Sequence, residues 1–226
     1  MPRYALIGIL ALVLNESAMV GAQPGFMAAR YVSGDLPVVP PLVVSGGEVF
    51  LEVLVAQDGR VDSIRTLRTT PPFTDAVINA VRGWRFTPAM EVAALSTSQA
   101  EASTGPVAGS VFVAAMFAPP ALNGTTLGQP PQDVLSPSDD MPMPLAANPA
   151  AYPPRAMGDG TVLVEVTIDG SGVLTDAHVI ASSPAFDAGA LAAARSWSFR
   201  AAQRNGTAVT THAYLLFAFR QPVIGR

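Results

Sequence analysis

The hydrophobic positions of this chain fall into two series that repeat. Apolar side chains take every second place at Val49, Leu51, Val53 and Val55, and the alternation returns at Val162, Val164, Val166 and Ile168. That period of two is the mark of a strand with one buried face. Asp58-Gly59 follows the first series and Gly170-Ser171-Gly172 the second. Both supply the positive φ angles of a hairpin turn, so second strands are predicted over residues 61–68 and 173–181. Proline then interrupts, at Thr70-Pro71-Pro72 and at Ser183-Pro184, where it is tolerated in the first turn of a helix. Beyond the prolines the period becomes helical. Phe73, Val77, Ile78, Val81 and Trp84 make one apolar stripe, and Phe186, Ala190, Leu191, Ala194 and Trp197 make another, each suited to lie on its own hairpin.

The two series are copies of one unit. Residues 47–89 align with 160–202 at a constant shift of 113, without a gap. Val49/Val162, Glu52/Glu165, Val53/Val166, Gly59/Gly172, Pro71/Pro184, Phe73/Phe186, Arg82/Arg195, Trp84/Trp197 and Phe86/Phe199 are identical pairs, and both tryptophans of the chain coincide. Self-similarity of this kind signals a duplicated supersecondary unit. A third strand is predicted to close each copy. In the second, Asn205-Gly206 turns the chain into residues 209–220; in the first, the matching strand at 110–117 follows an insertion at 91–109 rich in Ala, Ser and Thr. Residues 119–148, with QPP, SPSDD and MPMP, read as a proline-rich, partly extended linker. The expected fold is α+β: two tandem units, each a three-stranded antiparallel sheet with one helix on one face. Their spans are residues 38–118 and 149–222. The two sheets are free to stay separate, to join edge to edge or to pack face to face.

Composition narrows the classes of function. Charged residues make up 13 % of the chain, the net charge is −4, and every basic residue is arginine, which excludes the basic footprint of a nucleic-acid binder. No cysteine is present, so disulfides, thiolate metal sites and cysteine nucleophiles are excluded. At the N-terminus, Arg3 precedes an apolar run from Ala5 to Leu14, and Val20-Gly21-Ala22 resembles a signal-peptide cleavage site. Ten apolar residues rise only about 15 Å as a helix, roughly half a hydrocarbon core. Residues 1–22 are therefore expected to be a cleaved signal peptide, with a short retained anchor as the alternative.

Few side chains suggest chemistry. His178 and His212, the only histidines, lie on predicted strands and are expected as half-buried strand residues, since a mononuclear metal site wants three or four ligands. Asp139-Asp140 reads as a solvated pair, and Asn123-Gly and Asn205-Gly as turns. The tryptophans are expected against the sheets. Glu52 and Glu165 are the matched mid-strand candidates to pair with Arg82 and Arg195. No cofactor or metal is expected.

A hairpin, a helix ending in Trp-x-Phe and a final strand resemble the C-terminal domain of TonB-family proteins. Tyr152-Pro153-Pro154-Arg155-Ala156 looks like the family's Tyr-Pro-x-x-Ala lead-in segment. Arg195-Ser196-Trp197-Ser198-Phe199 is similar to its Arg-x-Trp-x-Phe signature, as is Arg82-Gly83-Trp84-Arg85-Phe86-Thr87-Pro88-Ala89 in the first copy. The resemblance implies a binding protein, not an enzyme, that takes a short segment of an outer-membrane receptor by strand addition at an exposed sheet edge. Carried onto this chain, the expected edge is the last strand, with Thr211, Ala213, Leu215, Phe217 and Phe219, and with Tyr152, Arg155 and Met157 beside it. The expected partner is a protein segment, as from a TonB-dependent receptor, with homodimerisation open. Cleavage at residue 22 would make the chain periplasmic; a retained anchor would make it a membrane-anchored energy transducer. An envelope hydrolase would need a cleft of clustered ionisable groups, for which the sequence offers few candidates.

Overall fold

The structure, a computed structural model, describes residues 25–40, 43, 45–92, 105–120 and 132–222. The expected signal segment, residues 93–104 of the insertion, and residues 121–131 with Asn123 lie outside the described residues. In chain order the elements are β1 (Gly25–Met27), β2 (Arg30–Ser33), β3 (Gly47–Val55), β4 (Val61–Thr69), α1 (Phe73–Val81), β5 (Arg85–Thr87), β6 (Ala89–Val92), β7 (Gly105–Val107) and β8 (Gly109–Phe117). There follow β9 (Gln132–Asp133), β10 (Met143–Ala146), β11 (Gly160–Ile168), β12 (Leu174–Ala181), α2 (Asp187–Arg195), β13 (Ser198–Arg200), β14 (Ala202–Arg204), β15 (Thr207–Val209) and β16 (Thr211–Phe219).

Each copy forms the hairpin, helix and last strand that its pattern requires. The hairpins β3–β4 and β11–β12 turn at glycines with φ of +78° at Gly59 and +85° at Gly172. These turns also tuck beneath the strand after the helix. A Cβ on Gly59 would lie 2.0 Å from the Phe86 carbonyl oxygen, and one on Gly172 2.5 Å from that of Phe199, so backbone approach as well as φ excludes a side chain. The helices end at Val81 and Arg195, short of the tryptophans, which pack as the chain turns into β5 and β13. Both rings are buried, and each indole N–H donates over 2.9 Å to a backbone carbonyl, Trp84 to Asp35 and Trp197 to Asn148.

Those two acceptors are 113 residues apart, and so are the strands before them. β2 pairs with β5 through Arg30↔Thr87 and Tyr31↔Phe86, and β10 pairs with β13 through Met143↔Arg200 and Pro144↔Phe199. The duplicated unit therefore begins well before the stretch that sequence identity reveals. This corrects the expected linker: its described part, residues 132–148, is folded. Met141 is fully buried in the second core, and Ser110, on β8, donates to Asp140 over 3.1 Å. A proline-rich composition hid a short strand whose hydrogen bonds are made to another element.

The expectation of two separate three-stranded sheets is also corrected. The main sheet has seven strands in the order β12-β11-β16-β8-β3-β4-β9. Each copy contributes an antiparallel triplet, and the triplets join edge to edge where β16 runs parallel to β8, from Ala213↔Phe112 to Ala218↔Phe117. A parallel junction between two equal units requires a half-turn about an axis along the strands, and that half-turn sends their helices to opposite faces. The cores show this. Phe112, Ala114 and Met116 of β8 lie in the α2 core with Leu215 and Phe217, whereas Val111, Val113 and Ala115 lie in the α1 core with Tyr214 and Leu216. Strands covered on both faces read as continuous apolar runs, and VFVAAMF and AYLLFAF are such runs.

Because each core borrows strands from the other copy, the two copies are expected to melt together. Leu216→Ala, on the second copy but inside the α1 core, should cost about 2–5 kcal/mol. Single-tryptophan versions made with Trp84→Phe and Trp197→Phe should then report the same lowered midpoint, measured by fluorescence in a denaturant titration; separate midpoints would show independent copies.

Candidate functional site

A sheet binds a further strand only at a rim, so the rims decide where the expected chemistry can happen. The last strand β16 is not one of them. It pairs with β11 along its whole length, Gly160↔Phe219 to Ile168↔Thr211, and with β8 on its other side. Thr211, Ala213, Leu215, Phe217 and Phe219 are all buried. The expected docking edge at these residues is therefore corrected: its backbone groups are used to join the copies. Of the lead-in residues, Tyr152 is half-buried, packs edge-on against Phe186 at 5.6 Å and donates its hydroxyl to the Gly158 carbonyl over 2.8 Å. Arg155 and Met157 are exposed. Only these last two remain accessible, and the structure assigns them no partner strand.

The true rims are the outer strands of the hairpins, and they differ. On β4 the rim is partly covered by the chain itself. β9 runs antiparallel to it, with Arg68↔Asp133 and Thr69↔Gln132, and the Val134 N–H donates to the Leu67 carbonyl over 2.9 Å. Arg68 secures the added segment by an ion pair from its Nε to Asp133 Oδ1 at 2.7 Å, and its guanidinium lies 4.6 Å above the Phe50 ring. The Asp133 carboxyl is held below its usual range by that arginine's hydrogen bond. On β12, the equivalent strand of the second copy, no strand covers the outer side among the described residues. β12 turns Ala177 and Val179 toward the α2 core, and Asp176 and His178 to the opposite face.

Beside that rim lies a polar cluster that joins the two copies. Glu165, on β11, is 1 % exposed and stands between His178 on β12 and Tyr214 on β16. Arg30, from β2 of the first copy, places Nε 2.9 Å and a terminal nitrogen 2.8 Å from Glu165 Oε1. His178 Nε2 is 3.5 Å and His212 Nδ1 3.9 Å from the same oxygen. His178 Nδ1 meets Asp176 Oδ2 at 3.1 Å, and His212 Nδ1 lies 3.3 Å from the Thr167 hydroxyl. The Tyr31 N–H donates to the Tyr214 hydroxyl over 2.7 Å. Burial first, then the Glu165 charge, pushes the Tyr214 phenol well above its ordinary value. Its hydrogen bond to Glu165 raises the Arg30 guanidinium further.

The expected partners of the two matched glutamates are thus replaced. Glu52 pairs with Arg65, its neighbour across the hairpin, through Nε at 3.0 Å, and also accepts from the Ser138 hydroxyl. Arg82 and Arg195 lie exposed at the helix ends. In the second copy His178 occupies the place of Arg65, and the charge comes instead from Arg30, 135 residues away. Both histidines were visible as strand residues; that they converge on one carboxylate follows from the strand order, which local pattern does not carry. Among the described residues, no three of His, Asp and Glu are arranged to hold a metal ion.

Two hairpin–helix–strand units thus share one sheet through their last strands. The family model described as Gram-negative bacterial TonB protein C-terminal matches residues 45–100 and 148–220, more than half of the chain, and the chain belongs to this TonB C-terminal family. The family is one of non-enzymatic, transport-related envelope domains. No curated protein matches the sequence. Among the described residues no helix is long and apolar enough to cross a membrane.

The cluster makes stability depend on pH with a definite sign. Burial holds the His212 imidazole below its ordinary value of 6.5, with Glu165 opposing the shift and Arg30 and His178 adding to it. The unfolded chain then binds the proton more readily, so this contribution is complete above 6.5 and is lost as the pH falls through the lower folded value. Denaturation free energies measured from about pH 8 down to about pH 5 should decline, and His212→Gln should flatten part of that decline.

Proposed function

We propose that this chain is an exported envelope protein that takes an extended segment of a partner protein as an additional strand on β12. The observation that carries the reading is the asymmetry of the two equivalent rims. On β4 a segment of the chain, β9, is already laid antiparallel and held by backbone bonds and one ion pair. The matching rim on β12 is uncovered among the described residues. The β4–β9 contact is a worked example, within the same molecule, of the geometry a partner would adopt. Family membership supports the class of partner, a segment of a protein engaged in transport across the outer membrane, and the export pattern of residues 1–22 supports a periplasmic location.

Physically, the affinity would come from main-chain hydrogen bonds along the bare side of β12, and the selectivity from side chains flanking it: Ala177 and Val179 on one face, Asp176 and His178 on the other. The last strand, by contrast, is paired on both sides from Ala213 to Ala218.

Adjacent residues of a strand point their N–H groups to opposite sides. Of Asp176→Pro and Ala177→Pro, therefore, one removes an inward ladder bond to β11 and the other only an outward donor. The variant that stays folded by circular dichroism is expected to lose the partner in a pull-down from envelope extract. Undiminished capture by that folded variant counts against the reading.

A further inference from the structure

The Glu165 cluster is not explained by strand addition, and it ties the two copies by a buried charge. Among the described residues one permanent cation, Arg30, serves this buried carboxylate, and it comes from a short strand at the start of the first copy. Both histidines of the chain stand within 4 Å of the same oxygen that Arg30 holds. The charged and titratable groups facing this oxygen are Arg30 and Tyr31 from β2, Asp176 and His178 from β12, and His212 and Tyr214 from β16. The equivalent site in the first copy is built differently. Glu52 is met by an arginine of its own hairpin, the place of His178 is Arg65, and that of His212 is Ser110. A histidine-free, permanently charged pair has thus been replaced by a pair that two titratable rings flank.

We propose that this cluster is an acid-released latch, in which protonated His178 and His212 displace Arg30 from Glu165 and so free β2 from the sheet of the second copy. The competition follows from counting charges around one buried oxygen. With neutral imidazoles, Glu165 and Asp176 face one guanidinium. When both imidazoles gain protons, three cations face these two carboxylates; His178 matches Asp176, and Arg30 and His212 are left to compete for Glu165. The cluster sheds the member that returns to water at least cost. Glu165 is shut in, with 2 % of its side chain exposed, and His212 with 20 %, whereas 56 % of the Arg30 side chain is already in solvent. His178 is tethered by Asp176 on its other nitrogen, and a ring that faces carboxylates on both sides donates to both only when protonated. Arg30 is the group that leaves.

What Arg30 carries with it is the contact of β2 with the second copy. β2 remains paired with β5 of its own copy, but toward the second copy its polar links are the Arg30 ion pair and the Tyr31 N–H bond to Tyr214. Loss of the first weakens the second, and uncovers the face of β11 and β16 beside the bare rim of β12.

The test uses the full chain, whose two histidines give two resolvable imidazole signals by NMR. Protection of the Tyr31 amide, corrected for intrinsic exchange, is expected to fall about tenfold between about pH 7.5 and about pH 5. That fall should vanish in the folded double variant His178→Gln, His212→Gln. Arg30→Gln should remove the protection at both pH values and raise the midpoint of His212, because competition for Glu165 is reciprocal. An equal fall in the double variant, no fall in the parent chain, or an unmoved His212 midpoint in Arg30→Gln would each overturn the latch.

Discussion

The parallel contact between β8 and β16 is the constraint on which the rest of the molecule depends. Each copy ends in a strand that would be an open rim if the copy stood alone, and an open apolar rim is a hazard in water. Joining the two last strands removes both rims at once. Because they join in parallel, the copies are related by a half-turn along the strands, α1 and α2 cover opposite faces, and both central strands are buried on both sides. The seam thereby merges two small cores, each modest for its length, into a sheet whose cores share side chains such as Leu216 and Phe112.

The same contact decides which rims stay open. Strand addition needs unpaired backbone groups, and the seam consumes those of β16. What the duplication leaves is the other side of each hairpin. On the first copy that side is partly covered by β9 with the Arg68–Asp133 pair, and on the second it is bare among the described residues. Duplication followed by unequal covering produces one protected rim and one available rim from the same unit, without any change in its strand order.

The two copies keep their packing contacts and diverge in their polar ones. Trp84 and Trp197 donate to acceptors 113 residues apart, and Gly59 and Gly172 approach the same carbonyl of the following strand. These contacts fix the shape of the unit, and the residues that make them recur. The glutamates recur too, but the charge paired with Glu52 comes from its own hairpin while that paired with Glu165 comes from Arg30 of the other copy. A conserved buried charge with a changed partner is how one copy comes to hold the other.

Local pattern in the sequence was sufficient for the hairpins, the helices, the turns and the duplication. Alternation at Val49–Val55, the glycines after it and the helical stripe from Phe73 are properties of neighbouring residues, and neighbouring residues decide them. The family resemblance was legible for the same reason. The apolar runs VFVAAMF and AYLLFAF did carry a sign of double-sided burial, but a run of that kind does not name the strand beside it. Tertiary structure alone decided that β16 lies against β8, that residues 143–146 form a strand with β13, that β9 covers one rim, and that Arg30 reaches Glu165. Each of these joins groups far apart along the chain, through backbone hydrogen bonds that are blind to side-chain identity or through an ion pair whose partner lies on another copy, and so none of them leaves a periodic trace in the amino-acid order.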